Sequence, residues 1–178
     1  FIPFERDFSS YVTKKIGAGS VGKSLADTKK YPRRVFIVHG HDDEVRETIS
    51  EFLKSLDFEV IILHEQANRG RTIIEKFEEH ADVGFAVVLF TPDDVGSANG
   101  GELASRARQN VVLELGYFLG KLGRERVLAL KRGDIELPSD FLGVVYTPFD
   151  AADRWKRLLA RELAAAEYEI DWRLVPRG

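Results

Sequence analysis

The sequence predicts an α/β domain running from about Arg34 to Asp171, in which a five-stranded parallel sheet carries helices on both faces. Three observations lead there. Five short apolar runs alternate with stretches of helical period, the order that right-handed strand–helix–strand crossovers produce. Two of the runs, Val35–Val38 and Phe85–Phe90, are apolar at every position, as strands buried on both faces must be. The polar, glycine-bearing segments follow the runs, where such sheets keep their loops. Together these give a flavodoxin-like, doubly wound architecture.

The elements follow in order. Val35-Phe-Ile-Val38 is the first strand and ends at His39-Gly-His-Asp-Asp43. Val45, Ile49, Phe52, Leu53 and Leu56 recur at helical spacing and mark an amphipathic helix. Phe58–Leu63 is the second strand, and the polar loop His64–Thr72 follows it. Ile73, Ile74, Phe77 and Ala81 mark a second helix. Phe85–Phe90 is stopped by Thr91-Pro92, and a long loop from Asp93 to Arg108 leads to the next helix. Val127–Leu130 and Val144–Thr147 are the last strands, and Trp155, Leu158, Leu159, Leu163 and Ala166 mark the closing helix.

Flanking segments read differently. Residues 1–33 hold no sustained period and are expected to be a linker or the tail of an upstream domain. Within them Gly17-Ala-Gly-Ser-Val-Gly-Lys-Ser24 matches the phosphate-loop pattern, which requires a buried strand before it and a substantial helix after it. Tyr11–Ile16 is too charged for that strand, and Pro32 leaves room for about two turns of helix. A flexible linker is the better reading. The first residue is not Met, so upstream sequence is expected, and Leu174-Val-Pro-Arg-Gly178 resembles the remnant of an expression tag and is set aside.

Composition narrows the function. Of the 178 residues 44% are apolar and 31% charged, which indicates a globular chain rather than a disordered one. The net charge of −3, without a long basic run, argues against nucleic-acid binding as the main business. With no cysteine there is no disulfide, thiolate metal site or cysteine nucleophile, which suits a cytoplasmic protein. No apolar run nears the roughly 18 residues of a membrane span.

Ligands of open parallel sheets bind beyond the carboxyl ends of the strands. That rule gathers the loops 39–43, 64–72, 91–108 and 131–139. In the first, Gly40 lets backbone approach a ligand just before a helix N-terminus, where N–H groups attract phosphate, while Asp42 or Asp43 can equally cap that helix. His39 and His41 lack a third partner, so no metal is expected. In the second, Arg69 and Arg71 can pair with a diphosphate, contact a neighbouring subunit, or form an ordinary solvated turn.

The segment Arg106–Gly120 is the centre of the chemistry. Val111, Leu115, Phe118 and Leu122 form an apolar stripe widened by Val112 and Leu119, while Asn110, Glu114, Tyr117 and Lys121 share the adjacent face. Glu114 thus sits about a quarter-turn from the core, where partial desolvation raises a carboxyl pKa. On pattern alone it is equally an ordinary boundary glutamate. Gly116 and Gly120 make a small-residue strip that can admit a close neighbour.

Five motifs in order carry a resemblance: Arg34–Asp42, Ile62–Gln66, Gly70–Glu78, Val83–Asp94 and Ala107–Phe118. Together they resemble the bacterial TIR-like domains of the predicted nucleotide-binding type, including the TIR effectors of cyclic-nucleotide-triggered antiphage systems (TIR–STING fusions and Pycsar effectors). The resemblance implies the TIR fold and an NAD⁺ glycohydrolase that cleaves the nicotinamide–ribose bond, with NAD⁺ as substrate and no bound cofactor. It implies Glu114 as the catalytic residue, the loop with His39, Gly40 and Asp42 lining the nucleotide pocket, and self-association through the 64–72 loop, whose Arg69 and Arg71 stand as candidate substrate-binding residues. Asn110, one turn before Glu114, is a weaker candidate for holding a ribose hydroxyl. An upstream sensor of a cyclic nucleotide is the implied partner. A non-catalytic nucleotide-binding or scaffolding TIR module is the rival reading. A phosphoacceptor receiver domain fits less well, because Thr91-Pro92 displaces the acid from the strand end and Lys131 follows the fourth strand. A nucleoside deoxyribosyltransferase is related only in its chemistry.

Overall fold

Alternation along the strands divides the core into two halves, one on each face of the sheet. The computed structural model describes residues 31–62, 82–138 and 146–177. Its strands are β1 (Arg34–Val38), β2 (Glu59–Ile62), β3 (Phe85–Phe90), β4 (Asp94–Gly96), β5 (Ala104–Arg106), β6 (Val127–Lys131) and β7 (Tyr146–Pro148). Its helices are α1 (Asp43–Ser55), α2 (Gln109–Leu122) and α3 (Arg154–Ala165). Five strands form one sheet in the order β2-β1-β3-β6-β7, all parallel, which is the predicted flavodoxin-like arrangement. Val35, Ile37, Phe85, Val87, Leu89, Leu128 and Leu130 face α1 and α3. Their neighbours Phe36, Val38, Ala86, Val88, Phe90, Val127 and Ala129 face α2.

The helices bury the stripes that their sequences carry. In α1, Val45, Ile49, Phe52 and Leu53 are buried, and the Asp42 side chain caps the N-terminus by accepting from the Val45 N–H at 3.2 Å. Asp43 and Glu44 in the first turn suit the positive end of the helix dipole. In α2 the buried positions are Val111, Leu115, Phe118 and Leu122, and Phe118 packs on Phe36 with ring centroids 4.7 Å apart. In α3, Trp155, Leu159, Ala160 and Leu163 are buried, and the Trp155 ring meets Phe52 at 5.5 Å and Phe149 at 5.0 Å. Leu158, expected in that stripe, lies at its margin and is 38% exposed, while Trp155, Leu159, Ala160 and Leu163 are the buried positions. Ahead of β1, the Tyr168 hydroxyl donates to the Pro32 carbonyl at 3.0 Å and the Arg126 guanidinium lies 3.5 Å from the Tyr31 ring centre. At the other end Val175, in the segment set aside as a tag remnant, is 5% exposed within the core.

The connection from Asp93 to Arg108, read from sequence as loop, contains an antiparallel ribbon. Asp94 pairs with Arg106 and Gly96 with Ala104. Three-residue strands of mixed polarity carry too little alternation to be seen in advance. Gly100 turns the ribbon at φ +78°, and the Arg106 guanidinium lies over Gly96 where a Cβ would otherwise stand. Several expectations lie outside the described residues: the linker and its phosphate-loop pattern up to Lys30, the 64–72 loop with Arg69 and Arg71, the helix marked by Ile73 to Ala81, and Val144-Val145.

Two substitutions on α2 should move stability in opposite directions. Phe118→Ala removes a side chain that is 1% exposed in the core and should cost about 3–5 kcal/mol in a denaturant titration. Gly116→Ala meets nothing within 4 Å of its new Cβ, so the isolated domain should gain about 0.5–1 kcal/mol in the same measurement.

Candidate functional site

All five parallel strands end at one edge, and the turns that leave β1, β3 and β6 there are cross-tied by charged side chains. The main tie is Asp93, whose side chain is only 5% exposed. One of its oxygens accepts from the His41 backbone N–H at 2.9 Å and the other from the Thr91 hydroxyl at 2.7 Å. The carboxylate lies directly on Gly40, where any Cβ would collide with it. Glycine is therefore required at position 40 by the close approach of Asp93. The His39 ring Nδ1 lies 2.9 Å from the Gly40 carbonyl oxygen.

Asp42 serves a second tie. Besides capping α1 it accepts from the Arg132 guanidinium at 2.6 Å, joining the turn after β1 to the residue that follows β6. Arg132 also faces Glu44 at 3.8 Å, and its own N–H donates to the Phe90 carbonyl at 2.9 Å. The sequence allows capping and ligand approach at this loop together. The structure shows Asp42 capping, with its other oxygen turned toward the sheet edge.

Glu114 stands about 7.5 Å along α2 from its first residue, so it lies near the same edge. It is half-buried, as are Asn110 and Tyr117 on its face. Desolvation by burial pushes its carboxyl up to about 7 from the ordinary 4.5, and the nearby Arg108 guanidinium opposes that rise. Among the described residues no hydrogen bond or ion pair takes up the carboxylate. A buried acid of this kind is costly to ionise, and such groups concentrate at functional sites. Arg108 in turn reaches His41, its Nη1 lying 3.2 Å from the imidazole Nε2. Through that contact the Glu114 helix is joined to the loop holding His39, Gly40 and Asp42.

A cavity of about 410 Å³ opens beside the start of α2, lined by Gln109, Val112, Glu136 and Leu137 among others. At 100° per residue Gln109 and Val112 lie almost opposite Glu114, so this cavity is on the other side of the helix from that carboxylate. Among the described residues no group of three or more acidic or histidine side chains could hold a metal ion, and no helix is long and apolar enough to cross a membrane.

Four residues of the site escaped attention as partners in the sequence. From sequence, His41 falls in the loop 39–43 and is excluded as a metal ligand, the acid after β3 reads only as a displaced phosphoacceptor, and Arg108 and Arg132 take no role. His41 and Asp93 lie 52 positions apart. The signal that could have paired them is the adjacency of the first and third strands in a flavodoxin-like sheet.

Comparison with known proteins places the chain in a family. Residues 34–151 match the family described as CAP12/Pycsar effector protein, TIR domain. The protein YuaY of Escherichia coli (strain K12) is 49% identical over 171 residues, which are 95% of this chain and 56% of YuaY. Protein tirC of Dictyostelium discoideum is 43% identical over 126 residues, covering 64% of this chain and 62% of tirC. The Pycsar effector protein BcPycTIR of Burkholderia cepacia is 46% identical over 85 residues, covering 47% of this chain and 27% of that protein. The chain thus spans 56–62% of the length of the first two of these relatives. The matched region contains all five parallel strands together with His39, Gly40, Asp42, Asn110 and Glu114, and the chain belongs to the TIR-domain family of CAP12/Pycsar effector proteins.

Proposed function

We propose that this chain is an NAD⁺ glycohydrolase module of a prokaryotic antiviral effector, with Glu114 as its catalytic residue. The observation that carries this reading is Glu114 itself: a half-buried carboxylate toward the carboxyl edge of the sheet, raised to about 7, with no hydrogen bond or ion pair from the described residues. The names of the family and of its Pycsar relatives support the effector role.

The chemistry needs one carboxylate. Nicotinamide is attached to ribose as a pyridinium, so it leaves as the neutral amide-bearing ring without being protonated. Cleavage of the C–N bond leaves positive charge on the ribose, as in glycosidase transition states. An ionised Glu114 beside that carbon stabilises the charge across a partly desolvated gap, where the attraction is stronger than in water. Water then adds to the cation and loses a proton, giving ADP-ribose, nicotinamide and H⁺. Asn110 is positioned one turn away to hold a ribose hydroxyl. His39, Gly40 and Asp42 would line the nucleotide's path, and Arg69 and Arg71 would take the diphosphate or the adjacent protomer.

Self-association belongs to the same proposal. On α2 the exposed Leu113, Gly116 and Gly120 form an outward strip, and a Cβ at either glycine would meet nothing within 4 Å. That strip suits the rival scaffolding reading equally well. A nicotinamide-release assay on concentrated or artificially clustered protein separates the two, because a scaffold assembles without turnover.

Two outcomes are expected for Glu114. Nicotinamide release by wild-type protein should rise with pH through about 7, as Glu114 ionises, and Glu114→Gln should lower it at least ~100-fold. Full activity in Glu114→Gln would remove the residue from the mechanism. The second outcome is in stability. A folded-state value above that of the unfolded chain means that neutral Glu114 favours folding; the contribution is complete below about 4.5 and is lost as pH climbs through about 7. Glu114→Gln, which stays neutral, should match wild type at about pH 4 and exceed it by about 1–2 kcal/mol at about pH 8.5, after discounting for residual exposure. Chemical denaturation at the two pH values checks this.

A further inference from the structure

We propose that Asp93 fixes which end of the substrate lies over the turn after β1: its carboxylate holds the place a phosphate would take there, so the turn receives the cationic pyridinium end of the dinucleotide and not its diphosphate. The inference rests on the reading of the chain as an NAD⁺ glycohydrolase and adds a specificity-determining residue to it.

The place is the usual one for a phosphate. The chain leaves β1 for α1 on one face of the sheet and leaves β3 for α2 on the other, so a crevice opens between these neighbouring strands. A turn with glycine at the head of a helix is there to offer backbone N–H groups to an anion. In this protein those groups are already taken. The His41 N–H donates to Asp93 at 2.9 Å, the Asp43 N–H to the His41 carbonyl at 3.1 Å, and the Val45 N–H to the Asp42 side chain at 3.2 Å. Gly40 permits the close approach that a phosphate would need, but the group that makes it is the Asp93 carboxylate. That side chain is 5% exposed and is held from its other oxygen by the Thr91 hydroxyl at 2.7 Å, so it is not free to swing aside.

The charge balance sets what the turn accepts instead. Asp42 is paired with Arg132 at 2.6 Å, Asp43 with Arg46 at 2.7 Å, and Glu44 faces Arg132 at 3.8 Å. Asp93 differs from these three. Among the described residues it has no ion pair with arginine or lysine, and the His41 ring, 3.7 Å away, is 64% exposed to water. A carboxylate without a fixed partner cation, in a site closed to water, repels a diphosphate and attracts a cation. The dinucleotide carries one cation, the pyridinium at its nicotinamide end.

The test is binding, which separates it from turnover. The whole chain in a Glu114→Gln background is titrated with NAD⁺ and with NADH, whose dihydropyridine ring is neutral. NAD⁺ should bind more tightly, and Asp93→Asn should cut that preference about 10-fold, because it keeps an oxygen for the His41 N–H and loses the charge. Thr91→Val removes a hydrogen bond from Asp93 and no charge, and should keep the preference. Inorganic pyrophosphate should leave the Gly40 and His41 amide signals unmoved in ¹⁵N NMR. Pyrophosphate shifts at those amides, or an undiminished preference in Asp93→Asn, overturn the proposal and leave the reaction standing. An equal loss in Thr91→Val also overturns it, since the shape of the turn then suffices. The expected preferences, in a wild-type protein that releases no nicotinamide, uphold the role of Asp93 and overturn the reaction. A chain that binds neither dinucleotide overturns both.

Discussion

Two chain reversals far apart in sequence are held together by a single carboxylate. Asp93 takes the His41 N–H and the Thr91 hydroxyl, and it lies so close to Gly40 that no side chain fits between them. The site depends on this contact because it fixes the turn after β1 against the turn after β3. Those two strands are neighbours at the centre of the sheet, where the direction of winding changes. Ligands of open parallel sheets collect at that point. A buried carboxylate with hydrogen bonds to both oxygens is rigid, and it gives the edge a defined floor.

Glu114 is the opposite case. Its carboxylate is partly withdrawn from water but is given no donor by the described residues. A chain selected for stability alone would place a neutral side chain there. The unfavourable desolvation, the arginine at the head of α2 and the exposed glycines along it are three departures from helix stability within fourteen residues of one helix and its cap. Departures of that density are the mark of a surface shaped by binding or chemistry.

Much of this was legible in advance because it follows from period. The apolar runs at β1 and β3 have no polar residue to mislead, and the stripe Val111, Leu115, Phe118, Leu122 is buried as read. The face containing Asn110 and Glu114 follows from the same arithmetic. What could not be read was pairing across distance. Nothing local in Thr91-Pro92-Asp93 indicates that Asp93 turns back over Gly40, and nothing in Arg132 indicates that it reaches Asp42. The β4–β5 ribbon was missed because strands of three residues lack a period. The cavity at Gln109 and Val112 was missed because it is formed with Glu136 and Leu137, from a different loop.

That cavity also makes the central claim easy to challenge. NAD⁺ could enter on the Glu114 side of α2 or on the Gln109 and Val112 side, and the two lie almost half a turn apart. A crystal structure with a non-hydrolysable NAD⁺ analogue decides between them. The account predicts the ribose carbon that bears nicotinamide within about 4 Å of a Glu114 oxygen, the reach of a reacting pair. An analogue seated against Gln109, Val112 and Leu137, with Glu114 facing only protein or water, would contradict it.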